Sequence, residues 1–169
     1  MKRLDIRDAD IVSEIIADES VFATAKDDSV TDPYAFVRGA LKNEHNIWLM
    51  PEENSLIMFR LMNGIMAEMH IAVKKESRNK TRIACIKACD WLFNNSEIKK
   101  VISMIRSTHL ASVSLAFECG MKQEGLISKG MQVDGELVDL IVLGATKRDF
   151  NKLYERDLNK LYGGASCHQ

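Results

Sequence analysis

Apolar and polar positions between residues 65 and 93 follow two different periods. From Ile65 to Val73 every second residue is apolar, which is typical of a strand whose two faces meet different surroundings. From Ile83 to Phe93 the apolar residues instead cover a broad helical face, and Lys87 and Asp90 are left outside it. This stretch therefore predicts a strand followed by a helix.

A cationic turn joins these two predicted elements. Five cations lie between residues 74 and 82, namely Lys74, Lys75, Arg78, Lys80 and Arg82. A helix N-terminus adds unpaired amide donors and the positive end of the helix dipole. The turn is therefore a candidate seat for a phosphate-bearing ligand. The alternative is an ordinary solvated connection between a strand and a helix.

Two dipeptides, Asn63-Gly64 and Asp134-Gly135, are strong hairpin signals because both residue pairs tolerate the backbone of tight turns. Each lies between two strand-like runs: Ser55–Met62 with Ile65–Val73, and Met121–Gln132 with Glu136–Ala145. We expect both pairs of runs to form antiparallel hairpins.

Capping residues, prolines and glycines divide the rest of the chain. Thr31 or Asp32 before Pro33 marks a helix start, and Pro51 ends a strand. The remaining predicted elements are a strand at Leu4–Arg7, a helix over Ile11–Ile16, a polar connection over Ser20–Val30, a helix over Tyr34–Asn43, strands at Ile47–Met50 and Lys99–Ile105, a helix over Leu110–Phe117 and a charged helix over Lys147–Tyr162.

This element order predicts an α/β (α+β) fold, with a central mixed, mostly antiparallel sheet of about seven strands and helices on both faces. Residues 1–150 are expected to form one domain. Residues 151–169 are expected to form a C-terminal helix end and a flexible tail.

Composition excludes several functional classes. The chain has 169 residues, of which 46% are hydrophobic, so it can bury a sizeable core. Its net charge of −1 gives no support for a nucleic-acid-binding surface. No apolar run is long enough to span a membrane, and the N-terminus has no secretory apolar region. The four cysteines lack metal-binding spacing and are expected to pack in a core under reducing conditions: Cys85, Cys89, Cys119 and Cys167.

Two segments, residues 65–93 and residues 105–121, together resemble the GNAT acetyltransferases. In that family a loop reading Arg/Gln-x-x-Gly-x-Gly/Ala cradles the pyrophosphate of acetyl-CoA, and a later segment reads Asn-x-x-Ser, a helix and Gly-Phe. Arg78 matches the start of the loop, Ser112 the serine and Gly120 the glycine. The resemblance runs from Leu4 to about Phe150. Its nearest likeness is to the ribosomal-protein-acetyltransferase-like and bacteriophage-encoded members.

The chain departs from the family pattern at the glycines of the loop. Thr81 and Ile83 stand where glycines are expected, and their β-branched side chains crowd a backbone that must approach a ligand. Arg78, Lys80 and Arg82 could supply charge in place of backbone amides. The alternative is that the cofactor site has decayed.

Three further departures lie in the second segment. His109 replaces the asparagine and Met121 replaces the phenylalanine. The region that carries a tyrosine acid in the family reads Ala116-Phe117 here, so it has no hydroxyl to donate. His109 also has a simpler interpretation, as a residue that caps the following helix.

The resemblance implies the GNAT fold and an N-acyltransferase that moves an acetyl group from acetyl-CoA to an amine acceptor. Glu68 or His70, on one face of the strand, would act as the general base. Their alternative interpretation is an ordinary polar strand face. The implied cofactor-binding residues are Ile71, Val73, Arg78, Lys80, Thr81, Arg82, Ile83, His109 and Ser112, and no metal is implied.

A second function is compatible with the same resemblance. A catalytically inactive, GNAT-like bacteriophage protein could act in head assembly or as an internal virion component. Loss of the loop glycines and of the tyrosine is what loss of catalysis would leave behind. The partners would then be phage structural proteins in place of an amine substrate, and either function allows a homodimer. The expected location is the host cytoplasm, or the virion for the second function.

Overall fold

The computed structural model contains one seven-stranded sheet with helices on both faces. It describes residues 1–25 and 27–161, with side chains for residues 1–24 and 27–154. The strands are β1 (Lys2–Leu4), β2 (Asn46–Met50), β3 (Ser55–Leu61), β4 (Met66–Val73), β5 (Lys100–Arg106), β6 (Lys122–Val133) and β7 (Glu136–Thr146). The helices are α1 (Ala9–Ile16), α2 (Glu19–Ala25), α3 (Pro33–Lys42), α4 (Thr81–Asn95), α5 (Leu110–Glu118) and α6 (Lys147–Leu161), with 3-10 turns at Ile6–Asp8 and Lys75–Lys80.

The strands follow the order β1-β2-β3-β4-β5-β7-β6 across the sheet. Every neighbouring pair is antiparallel except β4 and β5, which are parallel. The predicted mixed, mostly antiparallel sheet of seven strands is therefore confirmed. Among the described residues, no helix is long and apolar enough to cross a membrane.

The two faces of the sheet bury two separate apolar clusters. One cluster joins Ala67 and Met69 of β4 to α4, α5 and α6, and it includes Cys85, Cys89 and Cys119, which form no disulfide. The other joins Ala72 of β4 to α1, α2 and α3. Because side chains alternate along a strand, odd-numbered residues of β4 face α4 and α5, and even-numbered residues face α1–α3.

Both predicted hairpins form. The Asn63 side chain accepts the backbone N–H groups of Ile65 and Met66 at 3.0 and 2.9 Å, which closes the β3–β4 turn. At the β6–β7 turn Asp134 and Gly135 have φ values of 51° and 81°. Positive φ at both central residues is the backbone that Asp-Gly favours in a two-residue hairpin.

The N-terminal region differs from its sequence prediction. The predicted strand at Leu4–Arg7 is wrong, since β1 ends at Leu4 and a 3-10 turn follows. The polar connection predicted over Ser20–Val30 contains helix α2. The Asp18 carboxylate accepts the Ser20 backbone N–H at 3.0 Å and so caps this helix, and Val21 anchors it in the second cluster.

One other prediction needs adjustment. The cationic turn is a 3-10 helix over Lys75–Lys80 that runs directly into α4. Helix α6 starts at Lys147, as predicted, and the Phe150 ring contacts the Phe93 ring with centroids 5.5 Å apart. The domain division itself stays a prediction. Tyr162, Cys167 and the expected tail lie outside the described residues.

A contact that we call the Asp28 clasp joins the α2–α3 connection to the β6–β7 turn. The Asp28 carboxylate accepts the backbone N–H groups of Asp134 at 2.7 Å and Gly135 at 2.9 Å. The Asp28 backbone N–H donates to the Gln132 carbonyl at 3.1 Å. The hairpin is thereby held against the N-terminal half of the chain.

The cap of α3 gives a first test of the fold. The Asp32 carboxylate accepts the backbone N–H groups of Tyr34 and Ala35 at 2.8 and 3.1 Å. We expect Asp32→Ala to lower the free energy of unfolding by about 1 kcal/mol, as measured by urea denaturation. Thr31→Ala is the matched control and should change it by less than about 0.5 kcal/mol. Equal losses for the two variants would contradict the cap assignment.

Candidate functional site

The parallel strands β4 and β5 separate partway along their length. They pair only from Met66 to Glu68 of β4, against Lys100 to Ile102 of β5. The next link is made by a side chain, because the Ser103 hydroxyl donates to the Met69 carbonyl at 3.0 Å. Beyond it the strands diverge and leave a gap in the sheet, which we call the fork.

The backbone of β4 presents polar groups to the fork. The Met69 carbonyl points toward β5, since it accepts the Ser103 hydroxyl. Residues two apart on a strand direct their N–H and C=O groups to the same side. The backbone groups of Ile71 and Val73 therefore also point into the fork, where β5 no longer pairs with them. They can bind an extended chain that carries amide groups.

A cleft of about 450 Å³ fills the space between this part of β4 and helix α5. Its lining combines apolar side chains of β4 with hydroxyls of α5 and with one arginine. The lining residues are Thr24, Ile71, Val73, Arg78, Thr81, His109, Ala111, Ser112, Ser114, Leu115 and Glu118. Six of the nine predicted cofactor-binding residues therefore line the cleft: Ile71, Val73, Arg78, Thr81, His109 and Ser112.

The other three predicted cofactor residues, Lys80, Arg82 and Ile83, lie outside this described lining. Lys80 is the N-cap residue of α4, and its side chain makes no capping hydrogen bond. Arg82 donates from Nε to the Glu118 carbonyl at 3.3 Å, so it links α4 to α5 beside the cleft. The three residues mark the N-terminal end of α4 rather than the wall of the cleft.

The start of α4 is regular helix. Residues 75–84 contain no positive φ, so Thr81 and Ile83 sit in a backbone that β-branched residues can adopt. The Thr81 hydroxyl donates to the Arg78 carbonyl at 2.8 Å and is largely buried. The first turn of α4 holds no acidic residue, so the helix dipole there favours an anion.

Arg78 connects this turn to α2. Its Nη2 donates to the Ser20 carbonyl at 2.9 Å, while its side chain also lines the cleft. An arginine has five N–H donors, so one bond to a carbonyl leaves capacity for an anion. Arg78 can therefore hold α2 in place and still face a phosphate.

His109 lies at the N-cap position of α5, as predicted, but its ring caps no backbone amide. Its Nδ1 lies 2.9 Å from the Ser112 hydroxyl, and both residues line the cleft. Burial lowers the pKa of His109, and the nearby charges of Arg106 and Arg78 lower it further. The ring is therefore neutral at pH 7 and hydrogen-bonds Ser112 rather than repelling the two arginines.

Glu68 and His70, the two candidate bases, lie together on the opposite face of β4. The Glu68 side chain is 3% exposed and forms an ion pair with Arg60, its cross-strand neighbour on β3. His70 is 47% exposed, and its Nε2 lies 3.5 Å from Glu68 Oε2. Burial raises the pKa of Glu68, but His70 and Arg60 outweigh burial, so the net pKa lies below its usual value. Glu68 is thus ionised at neutral pH.

Sequence reasoning missed several residues of this region, of which three shape the fork and the cleft. Ser103 bridges the fork, Thr24 lines the cleft, and Arg106 donates to the Thr24 carbonyl. Thr24 could not be found because α2 was predicted to be a loop. A serine and an arginine within an otherwise apolar strand were the only signals for Ser103 and Arg106. The described residues contain no group of acidic, histidine and cysteine side chains that could hold a metal ion.

No protein-family model and no curated protein sequence matches the chain. Solved structures do match it, at low sequence identity. A spermidine N-acetyltransferase SpeG chimera from Vibrio cholerae and hSSAT superposes with a TM-score of 0.73 and 13% identity, over 90% of this chain and 99% of that chain. The fold is that of the GNAT acetyltransferases.

Two further structures share the GNAT fold. Mycobacterium smegmatis RimJ in complex with CoA-disulfide has a TM-score of 0.72 and 15% identity, over 91% of this chain and 87% of that chain. The spermidine N-acetyltransferase of Vibrio cholerae in complex with CoA and spermine has a TM-score of 0.70 and 14% identity, over 89% and 96%. At these identities the similarity establishes the GNAT fold of this chain, and the function has to be argued from its own residues.

Proposed function

We propose that the chain is an N-acyltransferase that moves an acetyl group from acetyl-CoA to an amine acceptor. The observation that carries this proposal is the fork between β4 and β5. It joins a cleft with a cationic end on one face of the sheet to a buried carboxylate, Glu68, on the other face. A donor and an acceptor could therefore approach one point from opposite faces.

The residues around the cleft suit acetyl-CoA. Backbone groups of Ile71 and Val73 would bind the amides of the pantetheine arm, as a strand binds an added peptide. Arg78 and the dipole at the N-terminus of α4 would bind the pyrophosphate through charge. The neutral pair of His109 and Ser112 would border the arm on the α5 side. Two structures of the same fold contain CoA or its disulfide.

The chemistry that acetyl-CoA supplies is a thioester carbonyl open to attack by an amine. In the transfer a C–N bond forms, the C–S bond breaks, and the amine nitrogen loses a proton. Glu68 would accept that proton directly or through one water, since it is ionised and lies at the base of the fork. The Ser103 bridge would hold the start of the fork in place.

The described part of the chain offers no tyrosine acid next to the fork. The helix position that would carry one reads Ala116-Phe117, and Phe117 is exposed. A thiolate is a stable leaving group compared with an alkoxide, so it can take its proton from solvent. The proposal therefore assigns a base to the chain and no general acid.

One observation favours the alternative, a catalytically inactive bacteriophage protein of the same fold that acts in head assembly or inside the virion. Arg78 and Arg82 of the cationic turn each already donate to a backbone carbonyl, of Ser20 and Glu118. Charges used in this way can be structural. A titration with acetyl-CoA separates the two functions.

Calorimetric titration with acetyl-CoA tests the proposal. We expect saturable binding to the native protein and weaker binding as salt concentration rises, because the phosphate contacts are partly exposed. Arg78→Gln should raise Kd by about 10- to 30-fold, which corresponds to one lost charge-assisted hydrogen bond. Transfer itself is measured as release of free thiol in the presence of an amine.

Arg38→Gln is the matched control, because Arg38 is an exposed arginine on α3, on the other face of the sheet. Its Kd should equal that of the native protein. An absence of binding at millimolar acetyl-CoA would refute the proposal and favour the structural phage protein. Equal weakening by Arg38→Gln and Arg78→Gln would show binding elsewhere on the surface.

A further inference from the structure

The face of the sheet that carries Glu68 continues into an apolar surface across β5, β7 and β6. Glu68 is in register with Ile102 of β5, so the two side chains share this face. Met104 pairs with Val142, and Leu140 pairs with Ile127, so these residues also lie on it. We call the five apolar residues the floor: Ile102, Met104, Ile127, Leu140 and Val142.

The helices on this face cover the other half of the sheet. Among the described residues, α1 contacts the sheet mainly at β3 and β4, α2 at β4 and α3 at β2, and the Thr24 carbonyl of α2 also accepts the Arg106 side chain of β5. The floor residues belong to neither of the two helix-packed clusters that the described side chains form. Ile102 and Leu140 are buried, Met104 and Val142 are half-buried, and Ile127 is 42% exposed. The accessible part of the floor, at Met104, Val142 and Ile127, is thus an apolar surface beside the candidate base, and no helix packs broadly on it.

Cations border the floor at both ends of β5. Lys100 precedes Ile102 and Arg106 follows Met104, and residues two apart on a strand share a face. Arg60 lies on the same face, beside Glu68. Each of these cations already has a partner, since Lys100 pairs with Glu124, Arg60 pairs with Glu68, and Arg106 donates to the Thr24 carbonyl.

The carboxylates near the floor already have partners. Glu68 pairs with Arg60, and Glu124 lies over Gly144 and pairs with Lys100 at 2.6 Å. Asp28 is engaged in its clasp. Glu136 shares the face but lies six residues from Val142, which is roughly 20 Å along β7. Apart from the base itself, no described carboxylate at the floor is placed to bind a second cation.

We infer that the floor is the acceptor subsite and that it takes a primary amine carried on an uncharged, apolar body. This inference rests on the proposed function and names the chemical class of its acceptor. The amine would lie against Glu68 at the fork, and the apolar body would cover Met104 and Val142. A charged group of either sign at the far end of the body would lose its hydration without an unpaired partner at the floor, so diamines, polyamines and amino carboxylates are disfavoured.

Three amines of equal chain length test the acceptor class, because they differ only at the end away from the reacting nitrogen. These are n-hexylamine with a methyl end, 1,6-diaminohexane with an ammonium end and 6-aminohexanoate with a carboxylate end. Thiol release from acetyl-CoA gives kcat/KM for each amine with the full chain. We expect n-hexylamine to exceed each of the other two by at least about 10-fold, the discrimination expected from desolvating one charge at a partly exposed site.

A pair of neighbouring substitutions tests the location. Val142→Glu places a carboxylate on the floor, at a half-buried side chain two strands and two residues from Glu68, which is roughly 12 Å and within reach of the far end of a six-carbon amine. Leu126→Glu places the same carboxylate on the opposite face, at a side chain that is 57% exposed and in register with Ile141. Val142→Glu should raise the ratio of kcat/KM for 1,6-diaminohexane over n-hexylamine by about 10-fold, whereas Leu126→Glu should leave this ratio unchanged.

Each result decides the inference. A native preference for 1,6-diaminohexane or 6-aminohexanoate would overturn the acceptor class and leave the acetyl-CoA proposal standing. Binding of acetyl-CoA without turnover of any of the three amines would overturn it in the same way. An equal change of the ratio in both glutamate variants would overturn the location. Failure to bind acetyl-CoA would overturn the proposed function first.

Discussion

Glu68→Gln is expected to lower kcat/KM for acetyl transfer by about 10²- to 10⁴-fold, the usual contribution of a positioned general base. Glutamine has the same shape and can still accept a hydrogen bond from Arg60, so the fold and the acetyl-CoA cleft on the other face should be retained. The Kd for acetyl-CoA should therefore stay within about 2-fold of the native value. Thiol release and calorimetry measure the two quantities separately.

His70→Gln is the control for this variant, because His70 lies 3.5 Å from the same carboxylate but is half-exposed. We expect His70→Gln to lower kcat/KM for acetyl transfer by less than about 10-fold. A larger loss for His70→Gln than for Glu68→Gln would assign the proton transfer to the histidine. Since the pKa of Glu68 lies below its ordinary value of 4.5, the loss of its base form should not limit the rate between pH 6 and 8.

The sign of the stability effect follows from the same pKa. The folded pKa of Glu68 is lower than the unfolded one, so the ionised carboxylate stabilises the fold above the unfolded pKa. This contribution is lost as the pH falls through the lowered folded pKa. The Glu68→Gln variant should accordingly lose less stability on acidification than the native protein does.

Leu92→Ala is expected to reduce the free energy of unfolding by about 3 kcal/mol, within the range for a leucine removed from a packed core. The Leu92 side chain of α4 has no exposed surface and belongs to the larger apolar cluster, which fills the space between this helix and the sheet. A cavity at this point removes contacts on all sides. A loss of about 3 kcal/mol is a large share of the free energy of unfolding of a domain of this size, and urea denaturation would measure it.

Trp91→Ala is the neighbouring control and corrects a prediction from the sequence. Both residues belong to the apolar set between Ile83 and Phe93, which predicts burial for each, but Trp91 is only partly buried and packs at the edge of the cluster. We therefore expect its loss to be at least about 1 kcal/mol smaller than that of Leu92→Ala. An equal or larger loss for Trp91→Ala would show that the tryptophan is the anchor of this helix.

The strand–turn–helix around residues 65–93 could be predicted because its signals are local. The alternation of apolar and polar residues predicts β4, and Asn63-Gly64 predicts the β3–β4 hairpin. Elsewhere in the chain, Asp32 and Pro33 predict the start of α3 in the same local way. Helix α2 could not be predicted, because only seven residues form it and Val21 gains its burial from distant parts of the chain. Short helices depend on packing more than on propensity.

The candidate site was predictable in its residue types and less so in its geometry. Glu68 and His70 were recognised from one face of a strand, yet the ion pair with Arg60 depends on the β3–β4 register. The charges of the cationic turn can be read from the sequence, whereas its helical backbone, which Thr81 and Ile83 can adopt, cannot. The fork itself has no local signal, because it arises where two strands 34 residues apart stop pairing.

The Asp28 clasp also has a consequence for how the chain folds. It joins Asp28 to Asp134 and Gly135, which lie 106 and 107 positions later in the chain. Closing so long a loop by this contact alone would carry a large entropy loss. A second contact links the same two parts of the chain. The Arg106 side chain donates to the Thr24 carbonyl, only four positions before Asp28. Arg106 is also in register with Leu140 on β7, the strand that begins at the turn bound by Asp28. Whichever of these two contacts forms first leaves only a short loop for the other to close, so the two contacts favour each other through chain entropy without touching. The tip of the hairpin and the end of α2 should therefore open and close as one cooperative unit.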